Sequence, residues 1–214
     1  LLIEDAHGLA AVAPLYAKSH SWGEFVFDFA WARAWESRGL DYYPKLVMAI
    51  PFTPASGPRV LLRAGADGAA LLRTALTAIA ARSASHGCSS AHALFIDEPL
   101  RIAAGAAGWL LRRDCQFLWR NRGYGDFEAF LAGFAADKRK KLRRERRRVS
   151  EQGIDFVTLD GTSIDAARLD LAWRYHADTF ARHGHAPYLN RACFRQLAAA
   201  LGSAMVFKFA EHFY

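Results

Sequence analysis

"YYPKLVMAIPFTPASGPRVLL", residues 42–62, decides how the chain is read. Residues 45–50 form an apolar run rich in β-formers, which predicts a buried strand, and Pro51, Pro54, Gly57 and Pro58 forbid a helix directly after it. Downstream, "DGAALLRTALTAIAARSASHG", residues 67–87, is Ala-rich with apolar residues at helical spacing and closes on Gly87. The strand "HALFID" (92–97), the helix "RIAAGAAGWLLRRD" (101–114) and the strand "CQFLWRNR" (115–122) are expected next. Strands alternating with helices from residue 45 to 122 predict an α/β layer with helices packed on a mixed sheet.

Upstream, the apolar runs 9–17 and 24–29 flank polar "KSHSWG" and suit a two-stranded hairpin, with Ser19, His20, Ser21 and Trp22 in its loop as a candidate binding loop. "FAWARAWESRG", residues 29–39, spaces Phe29, Trp31, Ala32 and Trp35 for a short helix that stops at Gly39. Past residue 124, Asp126 is placed to cap one long helix ending at Gly153, about 27 residues and roughly 40 Å at 1.5 Å per residue. A strand from 154, helices over 163–182 and 190–201 and a strand over 204–210 complete the pattern.

Charge is concentrated in one place. Nine of the 28 Lys and Arg residues lie between Lys138 and Arg148 beside a single acid, Glu145, which leaves 19 basic against 20 acidic residues elsewhere. A polyanion partner would therefore dock on this stretch and not over the whole surface. Phe127, Phe130, Leu131 and Phe134 form an apolar stripe that thins to Leu142 and Val149, so the second half of the helix only leans on protein. Three readings stay open: a solvated helix face that suits the macrodipole, a phosphate contact, and a nucleic-acid grip. No base-reading Asn interrupts the cations, which speaks against sequence-specific DNA recognition.

Three widely spaced cysteines, Cys88, Cys115 and Cys193, with no C-x-x-C spacing fit a reduced, cytoplasmic setting. No apolar run reaches the roughly 18 residues of a membrane span. His176, His183 and His185 lack a carboxylate or Cys to complete a ligand set, so no metal is expected. No Gly-x-Ser-x-Gly elbow, Walker loop or Cys/His nucleophile pattern occurs, and no catalytic residue is identified.

The stretches "KSHSWGEFVFDFAWARAW", "YYPKLVMAIPFTP", "FLWRNRGYGDFEAFL" and "KRKKLRRERRRV" together resemble the bacterial FemAB-like family associated with peptidoglycan biosynthesis. The order "LVMAIPFTP", helix, "SHGCSSAHALFID", helix, "LLRRDCQFLWRN" is similar to the last half of a GNAT-type acyltransferase fold. The resemblance covers nearly the whole chain. It implies an α/β (α+β) fold: a first GNAT-like unit with a mixed sheet flanked by helices (1–123), a long basic connecting helix (124–153), and the first half of a second GNAT-like unit (154–214). It implies transfer of an acyl or aminoacyl group to an amine acceptor, with acetyl-CoA or aminoacyl-tRNA as donor and a phosphate-bearing small molecule or cell-wall precursor as partner. The GNAT pyrophosphate loop, Arg/Gln-x-x-Gly-x-Gly/Ala, is absent; "PFTPASGPRVLLRAGADG" carries three prolines, each lacking a donor, so the first unit is not expected to bind CoA in the usual way. The chain opens without Met and stops at Tyr214 inside a strand-like run, which reads as an internal piece of a longer protein with its donor site beyond Tyr214.

Direct attack by an amine needs positioning, an oxyanion donor and a proton acceptor, and leaves faint traces in sequence. Lys141, Arg143 and Arg144 are candidate diphosphate contacts. Trp119, Tyr124 and Tyr188 are candidate substrate walls, against an alternative as core residues, and Lys45 is a candidate phosphate contact, against an alternative as a solvated strand end. A nucleic-acid-binding module, with tRNA among its partners, and a non-catalytic interaction domain remain as alternatives to the transferase.

Overall fold

The computed structural model describes residues 1–212, and the chain divides into two compact units, Leu1–Cys115 and Gln116 onward. Both mix helices with small sheets, an α+β fold.

The first unit runs β1 (Leu2–Asp5), β2 (Gly8–Val12), β3 (Leu15–Lys18), α1 (Phe29–Glu36), β4 (Lys45–Met48), β5 (Leu61–Leu62), α2 (Gly68–Ser85), β6 (Ala91–Ala93) and α3 (Glu98–Ala106). Its strands form two three-stranded sheets, β1-β2-β5 and β3-β4-β6, where one mixed sheet was expected. The second is itself mixed: β3 pairs antiparallel with β4, and β4 pairs parallel with β6. All four residues of β4 are buried, as the apolar run requires of a central strand.

The Asp67 side chain caps α2 by accepting from the Ala70 amide, and Asp97 does the same for α3 through Leu100. Leu72, Leu76 and Ile79 recur at helical spacing on α2 and pack with Leu46, Met48, Leu100 and Ala104 into the core. Leu76 has no exposed surface. Leu76→Ala is expected to cost about 2–5 kcal/mol, read as a shift in the urea midpoint at unchanged slope; a loss below about 1 kcal/mol would show that this core collapses onto the gap.

Several sequence expectations are corrected here. Residues 24–29 form no strand: Phe25 and Phe27 adopt φ of 59° and 50°, outside the extended region, because Glu24 and Asp28 turn inward. The hairpin is instead β1-β2. The β6 strand ends at Ala93, and Phe95 follows at φ 52°. Helix α3 begins at Glu98, set by its Asp97 cap, and stops at Ala106 ahead of Gly108 at φ 79°. Residues 115–122 pair with no strand; Phe117 is fully exposed, and the Asn121 side chain accepts from the Gly123 and Tyr124 amides to turn the chain.

The second unit contains α4 (Phe127–Ala132), α5 (Ala136–Glu151), β7 (Ile154–Asp160), α6 (Ala166–Arg182), α7 (Arg191–Leu201), a 3₁₀ turn (Gly202–Ala204) and β8 (Val206–His212). The single long helix expected over 126–153 is thus two. Gly133 ends α4, Ala135 is extended (φ −61°, ψ 154°), and Arg139 Nη1 donates to the Phe134 carbonyl at 2.5 Å, holding the break. Strands β7 and β8 pair antiparallel from Ile154↔His212 to Asp160↔Val206. Gly161 must be glycine: its amide donates to the carbonyls of Gly202 and Met205, and a Cβ would run into the Ala198 and Gly202 carbonyls.

Candidate functional site

Lys45, the first residue of β4, has a side chain with no exposure at all. Its ammonium donates to Ser21 Oγ at 2.7 Å, Glu24 Oε2 at 2.8 Å and Asp28 Oδ2 at 2.5 Å, which uses its three N–H groups. The Tyr42 hydroxyl donates to Asp28 Oδ2 at 2.7 Å, and the hydroxyls of Ser21 and Tyr43 lie 2.8 Å apart. The ammonium also sits 5.4 Å and 5.8 Å from the ring centres of Tyr42 and Tyr43, within reach of their π faces. A solvated strand end is therefore ruled out, and so is a free phosphate contact: the charge of Lys45 is already matched by two buried carboxylates.

Burial alone would raise the Asp28 carboxyl, but the Lys45 ammonium and the Ser21 and Tyr42 hydroxyls outweigh it and hold the group down at about 2. Burial and the adjacent Asp28 push the Tyr42 phenol well above its ordinary range. His92 stacks edge-on against Tyr42 at 6.2 Å and shares a 2.8 Å contact with Ser90 Oγ; burial and the nearby Lys45 lower its pKa, which favours neutral imidazole. At the rim, Lys18 Nζ donates to the Trp22 carbonyl at 2.9 Å and lies 3.2 Å from Glu24 Oε1. Of the residues proposed for the 19–22 loop, Ser21 belongs to this network by its side chain and Trp22 by its carbonyl. Glu24, Asp28, Tyr42, His92 and Lys18 were missed. The signal lay in "GEFVFDFAW", where two acids stand inside an aromatic run, since an acid buried among rings requires a cation.

A second arrangement lies in the Gln116 unit. Trp119, Arg120, Arg122, Tyr124, Phe130 and Phe134 line an open depression of about 580 Å³. Trp119 and Tyr124 stack at 6.4 Å, Phe130 meets them edge-on at 6.1 Å and 5.5 Å, and Phe134 extends the wall at 5.0 Å from Phe130. Helix α4 supplies Phe130 to this wall and also anchors the basic helix: Arg143 pairs with Glu128 at 2.5 Å, and Arg146 lies 4.1 Å over the Phe127 ring. Helix α5 buries no residue, and only Arg139, Leu142 and Val149 within 138–149 are half-buried.

The predicted diphosphate contacts thus separate. Arg143 forks onto Glu128, which holds that carboxyl below its usual range, and Lys141 faces Glu145 at 3.8 Å. Arg144 is exposed with no acidic partner within 4.0 Å among the described residues, as are Lys138, Lys140 and Arg148. Trp119 and Tyr124 lie together on the lining of the depression. Tyr188 is elsewhere in the unit, packed on Phe180 at 4.8 Å and His185 at 5.9 Å in a cluster that also holds His176.

The sequence matches the model of the FemAB-like family, described as peptidoglycan biosynthesis/recognition, over residues 1–213. The chain belongs to the FemAB-like family. No curated protein and no solved structure matches it. The two arrangements of this FemAB-like chain differ in kind. The depression offers ring faces and guanidinium groups open to a ligand, whereas the Lys45 network is a closed ionic knot inside the first unit. Among the described residues no helix is long and apolar enough to cross a membrane.

Proposed function

We propose that the chain binds the acceptor in a two-unit, GNAT-related acyltransferase that transfers an acyl or aminoacyl group to the amine of a phosphate-bearing cell-wall precursor, in a reduced, cytoplasmic setting. The observation that carries the reading is the depression of the Gln116 unit, where Trp119 and Tyr124 present ring faces beside Arg120 and Arg122. Sugar and base rings stack on aromatic faces, and guanidinium groups fork onto phosphate oxygens, so a sugar nucleotide is a chemical match. Of the three candidate diphosphate contacts, Arg144 is the one left without an acidic partner among the described residues and so available to a second phosphate. The membership in a peptidoglycan biosynthesis/recognition family supports the choice of acceptor. Acetyl-CoA and aminoacyl-tRNA are the two donors in view.

The test is titration with a uridine-diphosphate-linked muramyl peptide, followed by tryptophan fluorescence. Trp119→Ala and Arg122→Ala are each expected to weaken binding about tenfold, roughly 1.4 kcal/mol. Duplex DNA and tRNA over a salt series give the opposing outcome. If both bind alike with a log–log slope near −5, as neutralising about six phosphates requires, while the precursor does not bind, the basic helix is a nucleic-acid grip and the acceptor reading fails.

A further inference from the structure

We propose that the first unit holds a binding site for a primary ammonium group at the rim of the Lys45 network, and that the side chain of Lys18 occupies it. The deep ammonium, Lys45, has no exposure and spends its three donors on Ser21, Glu24 and Asp28. The outer one, Lys18, keeps 21% of its side chain exposed and meets the network at one carbonyl, that of Trp22, and one carboxylate oxygen, Glu24 Oε1. Two buried acceptors are left short of donors. Asp28 Oδ1 accepts no hydrogen bond, and Glu24 Oε1 has only the 3.2 Å ion pair, without hydrogen-bond geometry. Asp28 and Glu24 are themselves 4% and 5% exposed, so both carboxylates lie away from bulk solvent.

The chemistry of the position selects the ligand. Glu24 Oε2 is committed to Lys45 at 2.8 Å, so only Oε1, which lies 3.2 Å from Lys18 Nζ, is left for a second cation. A guanidinium needs two coplanar oxygens for its fork, whereas an ammonium needs single-point contacts. A divalent cation would sit beside the buried Lys45 charge and be repelled by it. The rings of Tyr42 and Tyr43 face the deep Lys45 ammonium, which leaves the rim position to be read from the Trp22 carbonyl and Glu24 Oε1. Phe25 and Phe27, held at positive φ between the two acids, show that the loop is constrained to aim Glu24 and Asp28 inward. Two carboxylates balance two ammonium groups in this arrangement; without Lys18 one buried negative charge is unmatched, and an incoming ammonium restores the balance without having to displace Lys45.

The site deepens the acyl-transfer reading, because an amine acceptor arrives as an ammonium, but its binding test is independent of that reading. The probe is n-butylammonium, titrated into the native chain and into Lys18→Ala with tryptophan fluorescence as readout and n-butanol and n-butylguanidinium as comparison ligands. Lys18→Ala is expected to bind n-butylammonium at least tenfold more tightly than the native chain and to discriminate against both comparison ligands. Glu24→Gln added to Lys18→Ala is expected to abolish the gain; if that variant does not fold, the comparison of ammonium with alcohol in Lys18→Ala decides alone. Equal affinity in native chain and variant, or equal binding of alcohol and ammonium, overturns the site. Retention of muramyl-peptide binding in the same samples would leave the acyl-transfer reading standing while this site fails.

Discussion

Lys45→Met is expected to destabilise the first unit by about 3–5 kcal/mol, the cost of removing one partner from a buried ion pair. The cause lies in what remains. Glu24 and Asp28 would keep two carboxylates at 5% and 4% exposure with no deep cation, and Ser21 Oγ would lose the hydrogen bond from Lys45. Urea unfolding followed by tryptophan fluorescence gives the loss as a lowered midpoint. Neutralising the acids in the same background, Glu24→Gln with Asp28→Asn, is expected to recover part of it, because the penalty belongs to unpaired charge and not to the methionine. A single variant within about 1 kcal/mol of the native chain would show that water enters the network and screens it.

The same network sets an acid limit. The Asp28 carboxyl titrates at about 2 in the folded chain against an ordinary 3.8, so the folded state binds fewer protons than the unfolded state between these values. Its contribution is therefore complete above about pH 4 and is lost as the pH falls through about 2. In Lys45→Met this dependence is expected to reverse, since a buried carboxylate without a cation has a raised pKa and acid would then stabilise the fold.

Arg59→Met carries the second large expected effect, again about 3–5 kcal/mol. Arg59 is 2% exposed and donates to backbone carbonyls only: Leu94 at 2.8 Å from Nε, Gly57 at 3.1 Å and Pro58 at 3.4 Å from Nη1, and Ala55 at 2.5 Å from Nη2. Burial lowers its pKa, with Asp97 opposing the shift. Each buried carbonyl left without a donor costs about 1–3 kcal/mol. Arg59→Lys is expected to recover little, because one ammonium cannot reach carbonyls on both residues 55–58 and Leu94. Faster amide exchange at Gly57, which donates to the Phe95 carbonyl, would accompany the loss. If Arg59→Lys proved as stable as the native chain, a point charge would suffice and the fork would have no role.

Strand β4 and helix α2 were readable because their apolar runs are bounded by Pro, Gly and a capping Asp, signals that act within a few residues. Residues 24–29 misled because Phe25, Phe27 and Phe29 alternate like a strand, while the partner that decides their conformation, Lys45, lies 17 residues beyond Asp28. The break after Ala132 was hidden because Phe130 and Phe134 keep helical spacing across it, which outweighed Gly133 as a stop signal, and Ala135, where the backbone becomes extended, carries none. Trp119 and Tyr124 could not be told from core residues in sequence, because their mutual stacking at 6.4 Å depends on the turn that Asn121 makes between them. The position of Lys45 at the head of a buried strand shows in sequence, but burial of its charge depends on acids contributed by a distant loop.

The grip of one ammonium on Ser21, Glu24 and Asp28 also governs which sequences are reachable by single steps. A change at position 24, 28 or 45 alone passes through a chain with a stranded charge, so substitutions at these sites are tolerated chiefly in combination. The five positions 21, 24, 28, 42 and 45 should therefore be inherited as one block among descendants of this chain, and swapped as one block in any graft of this loop onto another scaffold.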